Sequence, residues 1–257
     1  MFAEERREEI KELIEANGSM TVQDLSVEFD VSGSTIRRDL KELEESGMIK
    51  RTHGGAVIDQ NKAKFEPSFI DKEKENFAAK KTIGSKAGEF IDDGDTIIID
   101  AGTTTINLVD SLANSEDLTI ITNSINAARR LSDSKHEVIL IGGRLKKKTQ
   151  AMVGSFAKKN LSRINADKAF LGTNGIHLNA GLTTPDMIEA EVKEMMLKKA
   201  NEVFVLADYT KFEQITFSTI TTLDKIDYII TDNNLSAEIL KNYKKEIEII
   251  VVEEVRD

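Results

Sequence analysis

The residues best suited to contact another molecule lie on one face of a predicted helix near the amino terminus. After Val31, the segment Ser-Gly-Ser-Thr-Ile-Arg-Arg-Asp-Leu places short hydroxyl groups before two arginines. Arginine binds a guanine edge or a phosphate through paired hydrogen bonds, and small hydroxyl side chains allow close approach to a DNA groove. The spacing predicts a DNA-contacting face formed by Ser32, Ser34, Thr35, Arg37, Arg38 and Lys41.

The opposite face of this helix is apolar. Ile36, Leu40 and Leu43 recur at the spacing of one helical stripe, and the Ser32 side chain can cap the first turn. An ordinary amphipathic surface helix would show the same stripe. The neighbouring segments therefore decide between the two interpretations.

Those neighbours predict a winged helix-turn-helix. Residues 4–16 have an amphipathic pattern that Asn17-Gly18 ends, and Thr21 can cap a second helix that reaches Phe29. A two-residue turn then leads into the third helix, which is the spacing of the motif. Residues 48–51 and 56–58 are predicted to form a two-stranded wing. The wing would bring to DNA the residues Arg51, His53, Gly54 and Gly55.

The motifs of this segment, taken together, resemble a known family. Thr-Ile-Arg-Arg-Asp-Leu at residues 35–40 and Arg-Thr-His-Gly-Gly-Ala at residues 51–56 stand at the separation found in the DeoR family of bacterial transcriptional regulators. The resemblance covers residues 3–58 almost without gaps. It implies that this segment binds double-stranded operator DNA.

Composition argues against several other classes of protein. The chain of 257 residues has no cysteine and three widely separated histidines, which argues against disulfides, a Cys nucleophile and a metal cluster. No apolar run approaches the roughly 18 residues of a membrane span. The amino terminus is charged and lacks the apolar core of a signal peptide. We expect a cytoplasmic protein without a cofactor.

The net charge of −10 argues against a general nucleic-acid binder, but the charge is unevenly distributed. Residues 1–36 carry three basic and nine acidic residues, whereas residues 37–57 carry five basic and four acidic ones. Positive potential therefore gathers on the recognition helix and the wing. Because phosphate attraction decays within about 8 Å in cell-like salt, we expect weak non-specific binding and a homo-oligomer, a dimer or tetramer.

The rest of the chain predicts a larger α/β domain. Residues 59–75, which include Pro67, have the composition of a charged, extended linker. Seven short apolar runs then alternate with helical stretches, which predicts a largely parallel sheet covered on both faces. The runs are residues 96–100, 118–121, 138–141, 168–171, 203–206, 228–230 and 247–251. We therefore predict a winged helix-turn-helix domain at residues 3–58 and an α/β domain at residues 76–257.

Ligands bind beyond the carboxyl ends of the strands in such sheets, so the residues after each run indicate the site. After the first run, Gly102 permits close backbone approach, and three threonines stand at a helix N-terminus, which favours an anion. Four further runs are followed by polar or glycine-rich segments. The candidate binding residues are Asp100, Gly102, Thr103, Thr104, Thr105, Asn123, Ser124, Gly142, Gly143, Arg144, Gly172, Asn174, Gly175, Asp208 and Lys211.

These segments also resemble the DeoR family. Asp-Ala-Gly-Thr-Thr-Thr, Thr-Asn-Ser, Gly-Gly-Arg, Gly-Thr-Asn-Gly-Ile and Ala-Asp-Tyr-Thr-Lys-Phe occur in the order of its carboxyl-terminal effector domain. The resemblance implies a fold similar to ribose-5-phosphate isomerase and the sensing of phosphorylated sugars or related intermediates. It places the phosphate at residues 102–105, and it adds Lys193 to the pocket beside Asn123, Ser124, Asp208 and Lys211.

The similarity to an isomerase raises the alternative of a sugar-phosphate enzyme with an accessory DNA-binding domain. Glu189, Glu191 and Lys193 on a predicted helix could serve as acid or base. Glu189 and Lys193 also have the i,i+4 spacing of a solvated ion pair. The isomerase has an acidic cluster after its corresponding strand, whereas residues 172–175 contain no carboxylate. We therefore predict binding without catalysis, with Glu189 in the effector pocket.

The sequence thus favours a DNA-binding regulator, a repressor of a sugar-catabolic operon that a phosphorylated sugar controls. A protein–protein adaptor that uses the winged helix on another protein has no supporting feature in the sequence.

Overall fold

The computed structural model describes residues 2–45, 49–52, 54–58 and 66–253. The chain divides into two compact units, Met1–Pro67 and Ser68–Asp257. Each unit has its own hydrophobic core.

The first unit contains three helices and three short strands. They are α1 (Ala3–Asn17), β1 (Ser19–Thr21), α2 (Val22–Glu28), α3 (Gly33–Glu45), β2 (Ile49–Arg51) and β3 (Gly55–Ile58). β3 pairs antiparallel with β1 on one side and with β2 on the other. β2 and β3 are the predicted two-stranded wing, and β1 adds a third strand that the sequence did not predict. Three residues are too few to show a strand pattern, and β1 exists because β3 pairs with it.

The core of the first unit uses the predicted apolar stripe. Ile36, Leu40 and Leu43 of α3 are buried against Ile10 of α1 and Leu25 of α2. This packing fixes the opposite face of α3 towards solvent.

One polar residue also lies on the buried side of α3. Asp39 is 3% exposed, and its carboxylate accepts a hydrogen bond from Arg6 Nε at 2.7 Å. The guanidinium of α1 thus neutralises a carboxylate that would otherwise be costly to bury. This pair joins α1 to the recognition helix.

The second unit is built on a seven-stranded, fully parallel sheet. The strands follow the order β15-β14-β12-β9-β4-β5-β6. They are β4 (Thr96–Ile99), β5 (Thr119–Thr122), β6 (Glu137–Leu140), β9 (Ala166–Gly172), β12 (Ala200–Leu206), β14 (Tyr228–Asp232) and β15 (Glu248–Val252). All seven strands that the sequence predicts are therefore present. The order runs outward in opposite directions from β4 and β9, so these two strands form the topological switch point.

Helices cover both faces of the sheet. Ile98 packs into one apolar cluster, while Ile97 and Ile99 pack into the other, because neighbouring side chains of a strand point to opposite faces. The helices are α4 (Phe69–Lys74), α5 (Phe77–Gly88), α6 (Ile125–Leu131), α7 (Ser155–Leu161), α8 (Met187–Lys198) and α9 (Ala237–Tyr243), with 3-10 helices at Thr105–Asn114, Tyr209–Lys211 and Leu223–Lys225.

Two small antiparallel sheets complete the unit. β7 (Arg144–Lys146) pairs with β8 (Ala151–Val153), and β11 (Gly181–Thr184) pairs with both β10 (Gly175–His177) and β13 (Ser218–Thr221). None of the described helices is long and apolar enough to cross a bilayer.

The sequence predicts an extended linker at residues 59–75, but the structure shows a helix in part of this stretch. Its second half contains α4, which begins at a capping box: the Ser68 hydroxyl accepts from the Asp71 amide at 3.3 Å, and the Asp71 carboxylate accepts from the Ser68 amide at 3.3 Å. Phe69 is buried, which adds apolar contact to the capping. Residues 59–65 lie outside the described part of the chain.

Candidate functional site

The recognition helix α3 begins with a cluster of hydroxyl groups. The Ser32 hydroxyl accepts a hydrogen bond from the Thr35 amide at 3.2 Å, which is the predicted cap. Its oxygen also lies 2.7 Å from the Ser34 hydroxyl and 2.9 Å from the Thr35 hydroxyl. The structure therefore brings together the three small polar residues that the sequence assigns to DNA contact.

Three cations follow on the exposed face of α3. The Arg38 side chain is 83% exposed with its Nε 3.8 Å from Glu42, and the Lys41 side chain is 62% exposed with its Nζ 3.6 Å from Glu45. Exposed pairs of this kind contribute roughly 0–1 kcal/mol and leave the cations free to exchange partners with phosphate. Arg37 is also exposed and has no ion pair within the described residues.

The wing residues have roles that the sequence did not indicate. Arg51 is bound to the end of α3, since its Nε lies 2.7 Å from Glu44 Oε2 and its amide donates to Glu44 Oε1 at 2.9 Å. These hydrogen bonds lower the pKa of Glu44. Gly55 is buried, and a Cβ at this position would collide with the Met20 carbonyl oxygen of β1. Gly55 thus serves internal packing rather than close approach to a groove.

Two other wing residues were predicted to contact DNA. Gly54 is exposed, and a Cβ at this position would meet no atom within 4 Å. His53 lies outside the described residues.

The second unit has a cleft at the carboxyl ends of β4 and β9, where the strand order reverses. Ligands bind at this switch point in open α/β sheets. Eight predicted residues line the cleft, namely Gly102, Thr103, Thr104, Gly172, Asn174, Glu189, Lys193 and Lys211. The sequence analysis missed Lys72, Lys80, Ala101 and Thr173.

The loop after β4 forms one wall of the cleft. Thr103 and Thr104 line it and precede the amino end of the 3-10 helix, where the positive end of the backbone dipoles favours an anion. Thr105 is fully buried and has a different part: its hydroxyl donates to the Asp100 carbonyl at 2.7 Å. Thr105 therefore shapes the loop and does not line the cleft.

Four lysines line the same cleft, namely Lys72, Lys80, Lys193 and Lys211. Lys80 is 2% exposed, and its Nζ donates to the Glu75 carbonyl at 2.6 Å and to the Lys72 carbonyl. Burial lowers the pKa of Lys80 to about 8. So many ammonium groups around one small cleft favour a multiply charged anion such as a phosphate group.

A buried ion pair lies beneath the cleft. The Lys193 Nζ contacts Asp100 Oδ2 and donates to the Gly172 carbonyl at 2.9 Å, while the Gly172 amide donates to Asp100 Oδ2 at 3.1 Å. Burial raises the pKa of Asp100, and the Lys193 ammonium opposes that shift. Asp100 is thus a support that joins the ends of β4 and β9 to α8, rather than a residue that lines the cleft.

Glu189 and Lys193 do not form the solvated helical ion pair that their spacing allows. Glu189 is 3% exposed and its Oε2 lies 2.6 Å from Lys146 Nζ, whereas Lys193 pairs with Asp100. Both residues line the cleft, because α8 lies beside it. The Glu189 carboxylate can therefore accept hydrogen bonds from a ligand hydroxyl.

Asp208 holds the segment that carries Lys211. It follows β12 and is fully buried, and its Oδ1 accepts from the Asn76 side chain at 3.3 Å and from the Thr210 amide at 3.1 Å. Lys211 Nζ lies 3.9 Å from Asp208 Oδ2. Asp208 acts on the cleft through Lys211 and through Asn76, which precedes α5.

Asn123 and Ser124 were predicted at the effector but are committed to the fold. The Asn123 side chain accepts from the Ala101 amide at 2.9 Å and donates to the Met152 carbonyl at 3.2 Å. The Ser124 hydroxyl accepts from the Ala127 amide at 3.1 Å and caps α6. Neither residue is among those that line the cleft. Asn123 supports the loop from behind.

The remaining predicted glycines and Arg144 also lie away from the cleft lining. Gly142, Gly143 and Arg144 are exposed and follow β6, which is an edge strand two positions from β4. Gly175 is buried in β10, where a Cβ would collide with the Gln214 carbonyl oxygen. Strand-end residues thus reach the cleft only near the switch point. Within the described ranges, no three His, Asp or Glu side chains converge to hold a metal ion.

Two family models match the chain. The model described as DeoR-like helix-turn-helix domain matches residues 6–62, and that described as DeoR C terminal sensor domain matches residues 75–233. This chain belongs to the DeoR family. It is a DNA-binding transcriptional regulator with an effector-sensing domain, as the resemblance implied.

Relatives of this DeoR-family protein are named as transcriptional regulators, and the similarity covers nearly their whole length. The HTH-type transcriptional regulator GlpR of Haloferax volcanii is 38% identical over 93% of this chain and 93% of its own length. The lactose phosphotransferase system repressor of Lactococcus lactis is 36% identical over 95% of this chain and 97% of its own length. The HTH-type transcriptional repressor GlcR of Bacillus subtilis is 37% identical over 90% of this chain and 89% of its own length. These relatives agree with the prediction that the protein is not an enzyme.

Solved structures show a more distant likeness. Ribose 5-phosphate isomerase A from Methanocaldococcus jannaschii covers 54% of this DeoR-family chain and 55% of its own, with 18% identity and a TM-score of 0.40. The delta subunit of eIF2B from Chaetomium thermophilum covers 62% and 57%, with 19% identity and a TM-score of 0.44. Likeness at this level carries no functional argument.

Proposed function

We propose that this regulator represses a sugar-catabolic operon and releases its operator when a phosphorylated sugar binds in the cleft at the ends of β4 and β9. The supporting observation is the group of four lysines that line the cleft beside Gly102, Thr103 and Thr104. Relatives named as the lactose phosphotransferase system repressor and as GlcR support a sugar-linked operon. The protein would act in the cytoplasm, where bacterial operator DNA lies.

The lining of the cleft has groups that suit both parts of a sugar phosphate. The phosphate would lie against the loop at residues 102–104, with Lys72, Lys80 and Lys211 as donors. Glu189 and Asn174 also line the cleft, and they provide a carboxylate and an amide for hydrogen bonds. An ionised carboxylate only accepts hydrogen bonds, so Glu189 suits the hydroxyls of a sugar and opposes a second phosphate.

A thermal-shift screen of sugar phosphates, followed by gel shifts with operator DNA, tests this proposal. A binding sugar phosphate is expected to raise the melting temperature by mass action and to reduce operator binding. A panel without any binder, or a binder without effect on DNA, would contradict it.

We also propose that the protein acts as a dimer or tetramer. One winged unit offers few phosphate contacts on a chain with a net charge of −10, so two units on repeated half-sites are expected. Sedimentation of the full chain measures this, and a monomer at micromolar concentration would rule the proposal out.

The exposed arginines of α3 give the first prediction. Arg37→Ala and Arg38→Ala are each expected to weaken operator binding by about 1–3 kcal/mol where the side chain contacts a base. Where the side chain holds a phosphate instead, the slope of the logarithm of the binding constant against the logarithm of the salt concentration should become less steep by about one unit. Fluorescence anisotropy with labelled operator at several salt concentrations separates the two. Lys81→Ala, at an exposed position of α5, is the matched control. Unchanged affinity in both arginine variants would remove α3 from the major groove.

The lowered pKa of Lys80 gives the second prediction. Only the protonated ammonium attracts a phosphate strongly, so affinity for phosphate should fall as the pH rises through about 8, by up to about tenfold per pH unit. Asp208 and Glu75 raise this pKa, whereas Lys211 and Lys72 lower it. Calorimetric titration with inorganic phosphate at pH 7, 8 and 9 measures the dependence. Lys80→Arg keeps its charge in this range, so its profile should lack this fall and show only the change that comes from the titration of phosphate itself. Equal profiles in the two proteins would show that Lys80 does not bind the phosphate.

A further inference from the structure

α4 is the first element after the DNA-binding unit. It begins two residues after Pro67, where the first compact unit ends. With six residues, Phe69–Lys74, it is too short to be stable by itself. Its position therefore depends on the groups that fasten it to the rest of the second unit.

The carboxyl end of α4 is fastened to the cleft by Lys80. The Lys80 Nζ donates to the Lys72 carbonyl in the last turn of α4 and to the Glu75 carbonyl just after it. Lys72 and Lys80 both line the cleft. One of the lysines that line the cleft thus also holds the end of α4.

The amino end of α4 is fastened by groups outside the cleft. The Phe69 side chain is buried, and its amide donates to the Lys148 carbonyl at 2.8 Å. The Ser68 capping box closes the first turn. Phe69 also borders an open groove together with Ile106, which is in the 3-10 helix that follows the loop at residues 102–104.

We propose that α4 is the element through which the cleft acts on the DNA-binding unit, and that Lys80 is the positioning residue that couples the two. Lys80 has three donor hydrogens and already serves two carbonyls. A phosphate oxygen is a stronger acceptor than a carbonyl, because it carries charge. A phosphate that takes the third hydrogen and draws the ammonium towards the loop at residues 102–104 therefore weakens the two hydrogen bonds to α4 and Glu75. Binding then loosens the last turn of α4. Because α4 has only six residues, this weakens the whole helix, whose amino end follows directly on the first unit. This coupling rests on the proposed phosphate site.

Hydrogen exchange of the full chain, with inorganic phosphate or with chloride at equal ionic strength, tests the coupling. Phosphate is expected to slow exchange in the loop at residues 102–107 and to speed exchange in residues 70–75 on the order of tenfold. Slower exchange in the loop with unchanged or slower exchange in α4 would overturn the coupling and leave the phosphate site standing. No change in either segment would overturn both.

Variants at the amino end of α4, at two residues that do not line the cleft, give an independent readout. Phe69→Ala removes the buried anchor, and Ser68→Ala removes only the cap, which keeps the test valid if the first variant folds poorly. Both should bind inorganic phosphate and glucose 6-phosphate within about twofold of the wild type. Phe156→Ala, at a phenylalanine that is 75% exposed, is the control.

The decisive measurement is the ratio of operator affinities with and without each phosphate compound. The ratio is expected to approach one in the α4 variants, whereas Phe156→Ala keeps the wild-type ratio. A wild-type ratio in both α4 variants would refute a coupling role for α4. Lost phosphate binding in both variants would refute it too, because the substitutions would then act on the cleft itself.

Discussion

Thr104→Asp is expected to abolish the response to the effector while operator binding stays intact. Thr104 is 7% exposed and lines the cleft at the proposed phosphate position, so its replacement sets a carboxylate against the incoming phosphate. Two unit charges at 4 Å repel by roughly 4 kcal/mol at an effective dielectric constant of 20, which corresponds to about a thousandfold loss of affinity. Because α3 is in the other compact unit, the DNA-contacting face is unchanged.

Operator gel shifts with increasing sugar phosphate measure this effect, and the variant should behave as a permanent repressor in cells. Allosteric coupling of about 1–3 kcal/mol would change operator affinity roughly 5- to 150-fold in the wild type and leave it constant in the variant. Ser85→Asp, at an exposed position of α5, adds the same charge outside the cleft and is the control.

Two outcomes would contradict the prediction. A normal response would remove the phosphate from this loop. Loss of operator binding without effector would mean that the carboxylate of Thr104→Asp binds the lysines of the cleft as a phosphate does.

The sheet and the centre of the cleft follow from local sequence patterns. Each apolar run became a strand of one parallel sheet, because a strand buried on both faces needs a continuous apolar run. The strand-end rule then placed Gly102 and Gly172 correctly in the cleft. The same rule failed for Gly142 and Gly143, since it applies to every strand alike and strand order is not visible in the sequence. The strand-end residues that line the cleft follow β4, β9 and the neighbouring β12, whereas those after the edge strand β6 do not line it.

The sequence patterns also do not predict the cleft lysines that precede the large sheet in the chain. Lys72 and Lys80 precede the first strand of the large sheet and follow no strand-end motif, and Lys72 is in a stretch whose composition favours a linker. A usable signal existed, because Ser68 and Asp71 have the spacing of a capping box that starts a helix. That these lysines meet the loop at residues 102–104 depends on how the helices pack, which spacing along the chain does not encode.

The sequence also does not show which polar residues and glycines have a mainly structural role. Asn123 and Gly55 have residue types suited to binding, yet hydrogen bonds inside the protein or close backbone packing account for them. A sequence pattern does not distinguish an amide that supports a loop from an amide that contacts a ligand.

Lys193→Met is expected to destabilise the second unit more than any surface substitution. It leaves the Asp100 carboxylate, 1% exposed, without the ammonium that contacts its Oδ2. Removing one partner of a buried ion pair costs about 3–5 kcal/mol. For a unit of this size, that lowers the melting temperature by roughly 6–20 °C. Lys198→Met, on the same helix and paired with Glu194 at the surface, should lower it far less.

Calorimetry of the double variant Asp100→Asn/Lys193→Met is the test, because it removes both charges and keeps the acceptor for the Gly172 amide. The double variant should recover most of the lost melting temperature, so the two substitutions are strongly non-additive.

The loss of stability in the single variant Lys193→Met should also depend on pH. Burial raises the pKa of Asp100 in the folded state, and loss of Lys193 raises it further, so the neutral acid is favoured by folding. The deficit should therefore be small at acidic pH and grow as the pH rises through the folded-state pKa. A deficit that is equal at pH 5.5 and pH 8, or a double variant no more stable than Lys193→Met, would show that the pair under the cleft is not held by charge.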